Sequence, residues 1–205
     1  MFARPDTGST PISYPVPTLG AARGMFEAVL RYPWVYIKPV QVEVCSPIRF
    51  ERYVTNYGGP LRKQTQIKKD NNYQLIATVL VDVHYRLLAE VRPKRSSRGK
   101  NDDRPKKRSG QKHRDQAGEF VEEFNRRLVS GQTFYTPCLG WKEFVPSYFG
   151  PLRPESKPDR LVDLVIPSLL QSVWENGKVM PSYGQNWRIK QGVMSYQTPE
   201  PPDAE

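Results

Sequence analysis

The sequence predicts an α+β domain of ferredoxin-like type, a βαββαβ core with a basic loop inserted and a short C-terminal β extension. Three observations predict it. Two stretches, 19–31 and 117–130, carry the apolar spacing of amphipathic helices. Alternating or β-branched runs lie between and after them, around 40–44, 74–91 and 160–166. An Asn-Gly dipeptide, Asn176-Gly177, marks a hairpin turn near the C-terminus. The resulting order of helix, strand, hairpin, strand, helix, strand lacks one member, because the first strand of a βαββαβ unit precedes its first helix. The expected division is a core domain over 1–150 with a basic loop at 92–116, a β extension over 151–198, and a disordered tail over 199–205.

The elements follow from local chemistry. Residues 1–18 are rich in proline and read as irregular. Thr18 caps the first helix with Pro17 just outside it, and Ala22, Met25, Phe26 and Val29 keep the helical period. Gly20 and Gly24 lie one turn apart, at a cost to an ordinary helix. Two readings stay open: close packing on a sheet, or close approach of a phosphate to the helix N-terminus. Val40, Val42 and Val44 alternate with Gln41 and Glu43 as a half-buried strand. Residues 47–72 mix aromatics, glycines and cations and read as a surface loop or hairpin. The clearest strand runs over 74–91, with Val79, Val81, Val83, Tyr85 and Leu87 on one face and Asp82, His84 and Arg86 on the other. His84 there reads as a hydrogen-bonded surface residue. Phe120, Phe124 and Leu128 form the apolar stripe of the second helix, and Gly131 stops it. Residues 134–149 read as an aromatic-rich extended segment.

Charge narrows the function classes. Of the chain's 31 Lys/Arg and 21 Asp/Glu, residues 92–114 hold eleven and two, so the remainder is near neutral, 20 against 19. A basic segment this concentrated fits a polyanionic partner, nucleic acid first. Its composition reads as disordered in the free protein, and it would give salt-dependent affinity through counterion release, without sequence readout. Cys45 and Cys138 show no metal-ligand spacing, so no metal and no cofactor are expected. No apolar run is long enough for a membrane span, and no signal-peptide core opens the chain, so the expectation is a reduced, cytoplasmic protein with no membrane partner.

Five blocks carry a family resemblance: SYPVPTLGAARGMFEAVLRYP (13–33), SPIRFERY (46–53), DVHYRLLAEV (82–91), SGQTFYTPCLGWKEF (130–144) and VWENGKVMPS (173–182). Together, and in this order, they resemble the CRISPR-associated Cas-five proteins of the type I-C branch. The resemblance implies an RRM-type core and a ribonucleoprotein of antiviral defence. It implies a subunit of the crRNA-guided Cascade complex that holds the 5′ handle of the guide RNA. There it would cap the filament of backbone subunits and touch the large subunit, meeting target DNA only indirectly. In that branch the subunit also cuts precursor guide RNA without metal, which requires a base for the 2′-OH and a cation for developing charge.

Two departures stand out. The family usually begins some 15 residues earlier, with a strand leading into the segment matched by residues 2–6, so the first strand is shortened, misannotated or supplied by another chain. The catalytic pattern is also altered. The family places an aromatic or His after the first helix and a Lys-His pair at the start of the second. Ungapped counting puts Leu30 at the aromatic position and Glu119-Phe120 at the Lys-His position. Lys112-His113, seven residues upstream, would fill the role if shifted, with Tyr32 or Tyr36 as the aromatic.

The expectation is therefore a non-catalytic guide-RNA-binding subunit. Its proposed RNA contacts are Arg23, Arg49, Arg52, Arg62 and Lys63, with Lys94, Arg95, Arg98, Lys106, Lys107 and Arg108 from the basic loop. Tyr14, Tyr53 and Tyr57 would stack on splayed bases. The alternative is a metal-independent endoribonuclease that processes pre-crRNA, with His113 as base and Lys112 as electrostatic stabiliser. A second alternative is an unrelated basic RNA-binding module.

Overall fold

The computed structural model describes residues 1–59, 62–93, 109–175 and 178–197, the side chains of 109–116 and 174–175 excepted. The fold is mixed α+β with antiparallel sheets. Helix α1 spans Leu19–Val29, and the Thr18 side chain accepts a hydrogen bond from the Ala21 amide at 3.2 Å, as the cap signal predicts. Strand β1 (Val35–Val44) begins five residues before the valine alternation. Strands β2 (Arg49–Tyr57) and β3 (Tyr73–Val81) form a hairpin paired from Arg49↔Val81 to Tyr57↔Tyr73, with a short helix α2 (Gln64–Lys68) between them. The expected surface hairpin over 47–72 is therefore its first strand and connection.

The expected single strand over 74–91 is two strands. Asp82 sits at φ 50°, in the left-handed region, and breaks the chain between β3 and β4 (Tyr85–Pro93). Strand β4 then pairs with β1 instead, from Val44↔Tyr85 to Val35↔Pro93, so the two halves of the alternation belong to different sheets. The last helix, α3 (Ser109–Ser130), starts about two turns before the expected residue 117. It ends as the sequence requires. Gly131 lies at φ 68°, its N–H bonds the Leu128 carbonyl, and the Gln132 N–H bonds Arg127, the two closures of a Schellman motif.

Residues 134–149 form turns and loop rather than an extended strand. The Phe134 and Tyr135 amides both bond the Ala28 carbonyl, and Leu139 and Phe144 close a tight loop. Strands β5 (Leu164–Glu175) and β6 (Lys178–Ile189) pair down to Glu175↔Lys178, with the expected Asn176-Gly177 turn outside the described residues. Strand β7 (Val193–Ser195) adds to the free side of β1, giving the order β4-β1-β7. The expected tail over 199–205 also lies outside the described residues.

Helix α1 packs on β1, α3 packs on β4, and the helices touch each other, so both lie on one face of this sheet. One core unites α1, β1, β5 and β6 through Ala22, Met25, Val42, Leu169, Trp187 and Ile189. A second cluster gathers Val29, Leu30, Ile37 and Phe120 where α1, β1 and α3 meet. The proline-rich start is tied down rather than loose. Tyr14 N bonds the Phe2 carbonyl at 2.8 Å, Phe2 N bonds Ser13 Oγ, and Thr78 of β3 exchanges backbone bonds with Pro11 and Ser13.

Candidate nucleic-acid interface

The expected RNA contacts separate into three groups. Some are free to meet a ligand. Arg52 is exposed on β2, and Lys63 is exposed at the start of α2, its N–H bonding Gln66 Oε1. Arg23 is half-exposed on α1, 3.6 Å from Glu27 and over the Tyr36 ring at 5.5 Å. Arg49 is exposed and paired with Asp82 across the β2–β3 hairpin. Exposed pairs of this kind are worth about 0–1 kcal/mol, so a phosphate competes with them readily.

Others are structural. Tyr14 is 2% exposed, beneath Arg4, and cannot stack on a base. Sequence reasoning missed this because residues 1–18 read as irregular, whereas their backbone bonds carry Tyr14 into the core. Tyr53 packs edge-on against Phe144 at 5.3 Å in the cluster of Met1, Ala77 and Val79. Tyr57 lies against Tyr73 at 5.4 Å. Arg62 is largely buried and holds the β2–β3 connection together through the Gly59 and Asn71 carbonyls and Asp70. Tyr14 is thereby corrected from a ligand contact to an anchor, while Tyr53, Tyr57 and Arg62 are partly buried and engaged with neighbours. Lys94, Arg95, Arg98, Lys106, Lys107 and Arg108 lie outside the described residues.

The glycine pair of α1 packs against nothing. A Cβ at Gly20 or Gly24 would meet open space, which removes the sheet-packing reading. The Gly24 carbonyl instead accepts the Tyr135 hydroxyl at 3.0 Å, joining α1 to the loop after α3. His84 is hydrogen-bonded to Ser156 Oγ at 3.0 Å, as expected of a surface histidine.

The two positions singled out for cleavage converge. Leu30 and Phe120, 4% and 1% exposed, share one buried cluster, with Tyr32 and Phe124 packed against it. Tyr32 meets Phe120 edge-on at 5.5 Å and lies 4.9 Å from Trp34. Glu119 is exposed. Lys112 and His113 belong to α3, and their side chains lie outside the described residues. One turn beyond Phe120, Glu123 is held between Arg126 and Arg127, whose hydrogen bonds depress its carboxyl to about 2. Those two guanidinia are thereby engaged on the helix itself.

A groove of about 1040 Å³ runs between β4, α3 and the loop over 143–153. Its walls include Leu87, Phe120, Phe124, Leu128 and Phe149, with His84, Arg86 and Arg153 also among the lining residues. Among the described residues, no His, Cys, Asp or Glu group of three or more gathers to hold a metal ion. No described helix is long and apolar enough to cross a membrane.

Trp34, in the turn before β1, and Tyr36, within β1, are exposed; from sequence Tyr36 is named only as a stand-in for the family's aromatic, and Trp34 is not singled out.

No protein-family profile matches the chain. Curated proteins do. The chain is 32% identical over 155 residues to a CRISPR pre-crRNA endoribonuclease Cas5d of Thermus thermophilus, covering 73% of this chain and 58% of that protein. It is 31% identical over 166 residues to a CRISPR pre-crRNA endoribonuclease Cas5d of Mannheimia succiniciproducens, covering 72% and 66%. The chain thus spans about three fifths to two thirds of the length of these relatives. A solved CRISPR-associated protein shares the fold with a TM-score of 0.64 at 16% identity, over 91% of this chain and 82% of that one. A functionally uncharacterized protein from Streptococcus mutans does so with a TM-score of 0.61 at 15% identity, over 96% and 86%. By sequence, the chain belongs to the Cas5d family of CRISPR-associated proteins.

Proposed function

We propose that this chain binds repeat-derived guide RNA as a subunit of a Cascade-type complex, holding the crRNA 5′ handle without cutting it. In this reading it acts in the cytoplasm, caps the filament of backbone subunits, touches the large subunit and meets target DNA only through the guide. The unit α1–β1–β4–α3 serves as the αββα part of a ferredoxin-like core, with the β2–β3 hairpin inserted. The basic segment follows β4 in the sequence and supplies phosphate-neutralising charge.

The observation that carries the non-cutting part is the cluster of Leu30 and Phe120. The ungapped counterparts of the family's aromatic and histidine come together in space, and both are buried and apolar. Neither side chain can take a proton, and Glu119 beside them brings the wrong charge for a developing oxyanion.

The second reading is the metal-independent pre-crRNA endoribonuclease, and the relatives back it better, since both are named for that activity. One structural observation favours it. Because α3 extends back to Ser109, Lys112-His113 stand seven residues before Glu119-Phe120 on one continuous helix. Seven residues fall about 20° short of two full turns, so the two pairs of positions share a helical face. The family assignment sets aside the unrelated basic module.

The deciding experiment incubates the chain with labelled CRISPR-repeat RNA in EDTA, read on native and denaturing gels. Binding without cleavage supports the structural subunit. A single cut that disappears in His113→Ala, with binding retained, establishes the endoribonuclease. Lys106→Glu with Lys107→Glu should weaken binding and flatten its salt dependence; an unchanged slope removes the basic segment from the interface.

A further inference from the structure

We propose that Trp34 and Tyr36 form a base-stacking platform for single-stranded RNA, an inference that rests on the RNA-binding reading above. Both rings face solvent, with the residues 49% and 40% exposed, while their neighbours Ile37 and Pro39 turn into the core. Exposed aromatic area of this size contributes little to folding and is a common mark of a binding face.

The rings are also held in place. A hydrogen bond from Val35 N to the Tyr32 carbonyl closes the turn that presents Trp34. Behind the indole, Tyr32 lies at 4.9 Å, and Tyr32 in turn meets buried Phe120 at 5.5 Å. This chain of rings anchors the platform to the core, so a base that lands on it orders little that was mobile.

Charge selects the occupant. The Arg23 guanidinium lies 5.5 Å from the Tyr36 ring centre. Arg92 is directly opposite Tyr36 in the β1–β4 ladder, and therefore on the same sheet face. Arg92 is itself the first residue of the segment, 92–114, that holds most of the net positive charge. Arg23 and Arg92 are each paired with a nearby acid, Glu27 at 3.6 Å and Glu90 at 2.6 Å, in exposed pairs that a phosphate can displace. Flat rings flanked by exchangeable cations fit a polyanion with free π-faces, which is single-stranded nucleic acid.

The test compares wild type, Trp34→Ala/Tyr36→Ala and Trp34→Phe/Tyr36→Phe by fluorescence titration with single-stranded repeat RNA at several salt concentrations. The Ala pair should lose roughly ten- to hundredfold in affinity at an unchanged salt slope, because stacking is lost and no phosphate contact is. The Phe pair should stay within about threefold of wild type, since it keeps the π-faces. If wild type binds and the Ala pair binds equally well, the platform is wrong and the RNA-binding reading stands. If wild type does not bind, the RNA-binding reading fails and takes the platform with it. If the Ala pair keeps its RNA affinity but no longer associates with co-expressed backbone subunits, the face is a protein interface and the proposal is overturned.

Discussion

Replacing Phe120 by Ala tests the register of α3, and with it which residues occupy the position used for cleavage in the family. Phe120 is 1% exposed and packs among Leu30, Ile37, Tyr32 and Phe124. Truncating a buried Phe to Ala costs about 3–5 kcal/mol, from lost transfer energy and the cavity left behind. The higher helix propensity of Ala returns only a few tenths of that. In a domain of this size each kcal/mol lowers Tm by about 2–4 °C, so Phe120→Ala should melt roughly 6–20 °C below wild type. Urea unfolding followed by circular dichroism gives the free energy, with an unchanged m-value confirming the same unfolding reaction. Val121→Ala, at an exposed position one residue on, is the control and should cost under about 1 kcal/mol. Leu30→Ala completes a double-mutant cycle, and residues sharing one cluster should show a coupling of about 0.5–3 kcal/mol. A cost for Phe120→Ala near that of Val121→Ala, or zero coupling to Leu30, would refute the reasoning. Phe120 would then not lie under Tyr32, and Lys112-His113 would be free to take its place.

Three further outcomes are expected. Thr18→Ala should lose about 0.5–2 kcal/mol of stability and Thr18→Ser should recover most of it, because a hydroxyl satisfies the Ala21 amide; equal loss in both would show that the cap is not made. Gly140→Ala should destabilise by more than about 1 kcal/mol, since Gly140 lies at φ 88° and a Cβ there would run into the Met1 carbonyl oxygen; a neutral substitution would mean that the N-terminal backbone does not pass there. Burial pushes the Tyr85 and Tyr196 phenols above their ordinary value of 10, while they donate to the Pro15 and Pro17 carbonyls. A folded-state value above the unfolded one means the folded chain holds its proton longer. The associated stability is therefore intact below pH 10 and drains away as pH rises beyond it. Urea titrations from pH 8 to 11 should show this decline, and Tyr85→Phe/Tyr196→Phe should flatten it; an equal decline in the double variant would assign it to other groups.

What was legible in the sequence was local. Thr18 caps α1 and Gly131 closes α3 because both signals are satisfied by backbone groups within a turn or two. The break at Asp82 was hidden because side-chain alternation continues through it from 74 to 91. Only pairing partners reveal that β3 and β4 join different sheets. The same limit governed the site. Arg62 reads as a free cation, yet the carbonyls of Gly59 and Asn71 claim it. Tyr14 reads as a loop aromatic, yet hydrogen bonds between strands far apart in sequence bury it. Charge density points to a partner class, because it survives any fold. Which cation is available is a tertiary property, and no spacing rule encodes it.

Leu30 and Phe120 lie far apart in the sequence, and ungapped comparison with one family pattern chose them independently. Their meeting in one cluster supports both choices, since two misplaced positions have little reason to converge. In the structural-subunit reading, the location is kept while its chemistry is exchanged for apolar packing. This constrains the endoribonuclease reading. Seven residues of helix rise about 10 Å, so a phosphate served by His113 sits nearer the start of α3 than one seated beside Phe120. Cleavage by His113 requires RNA bound about two turns nearer the start of α3, next to the basic segment rather than over the Leu30–Phe120 cluster. The two readings therefore differ in where the RNA lies as well as in whether it is cut. A crosslink from the scissile nucleotide to the first turns of α3 would support the nuclease, and one to the Tyr32–Trp34 corner with the RNA intact would support the structural subunit.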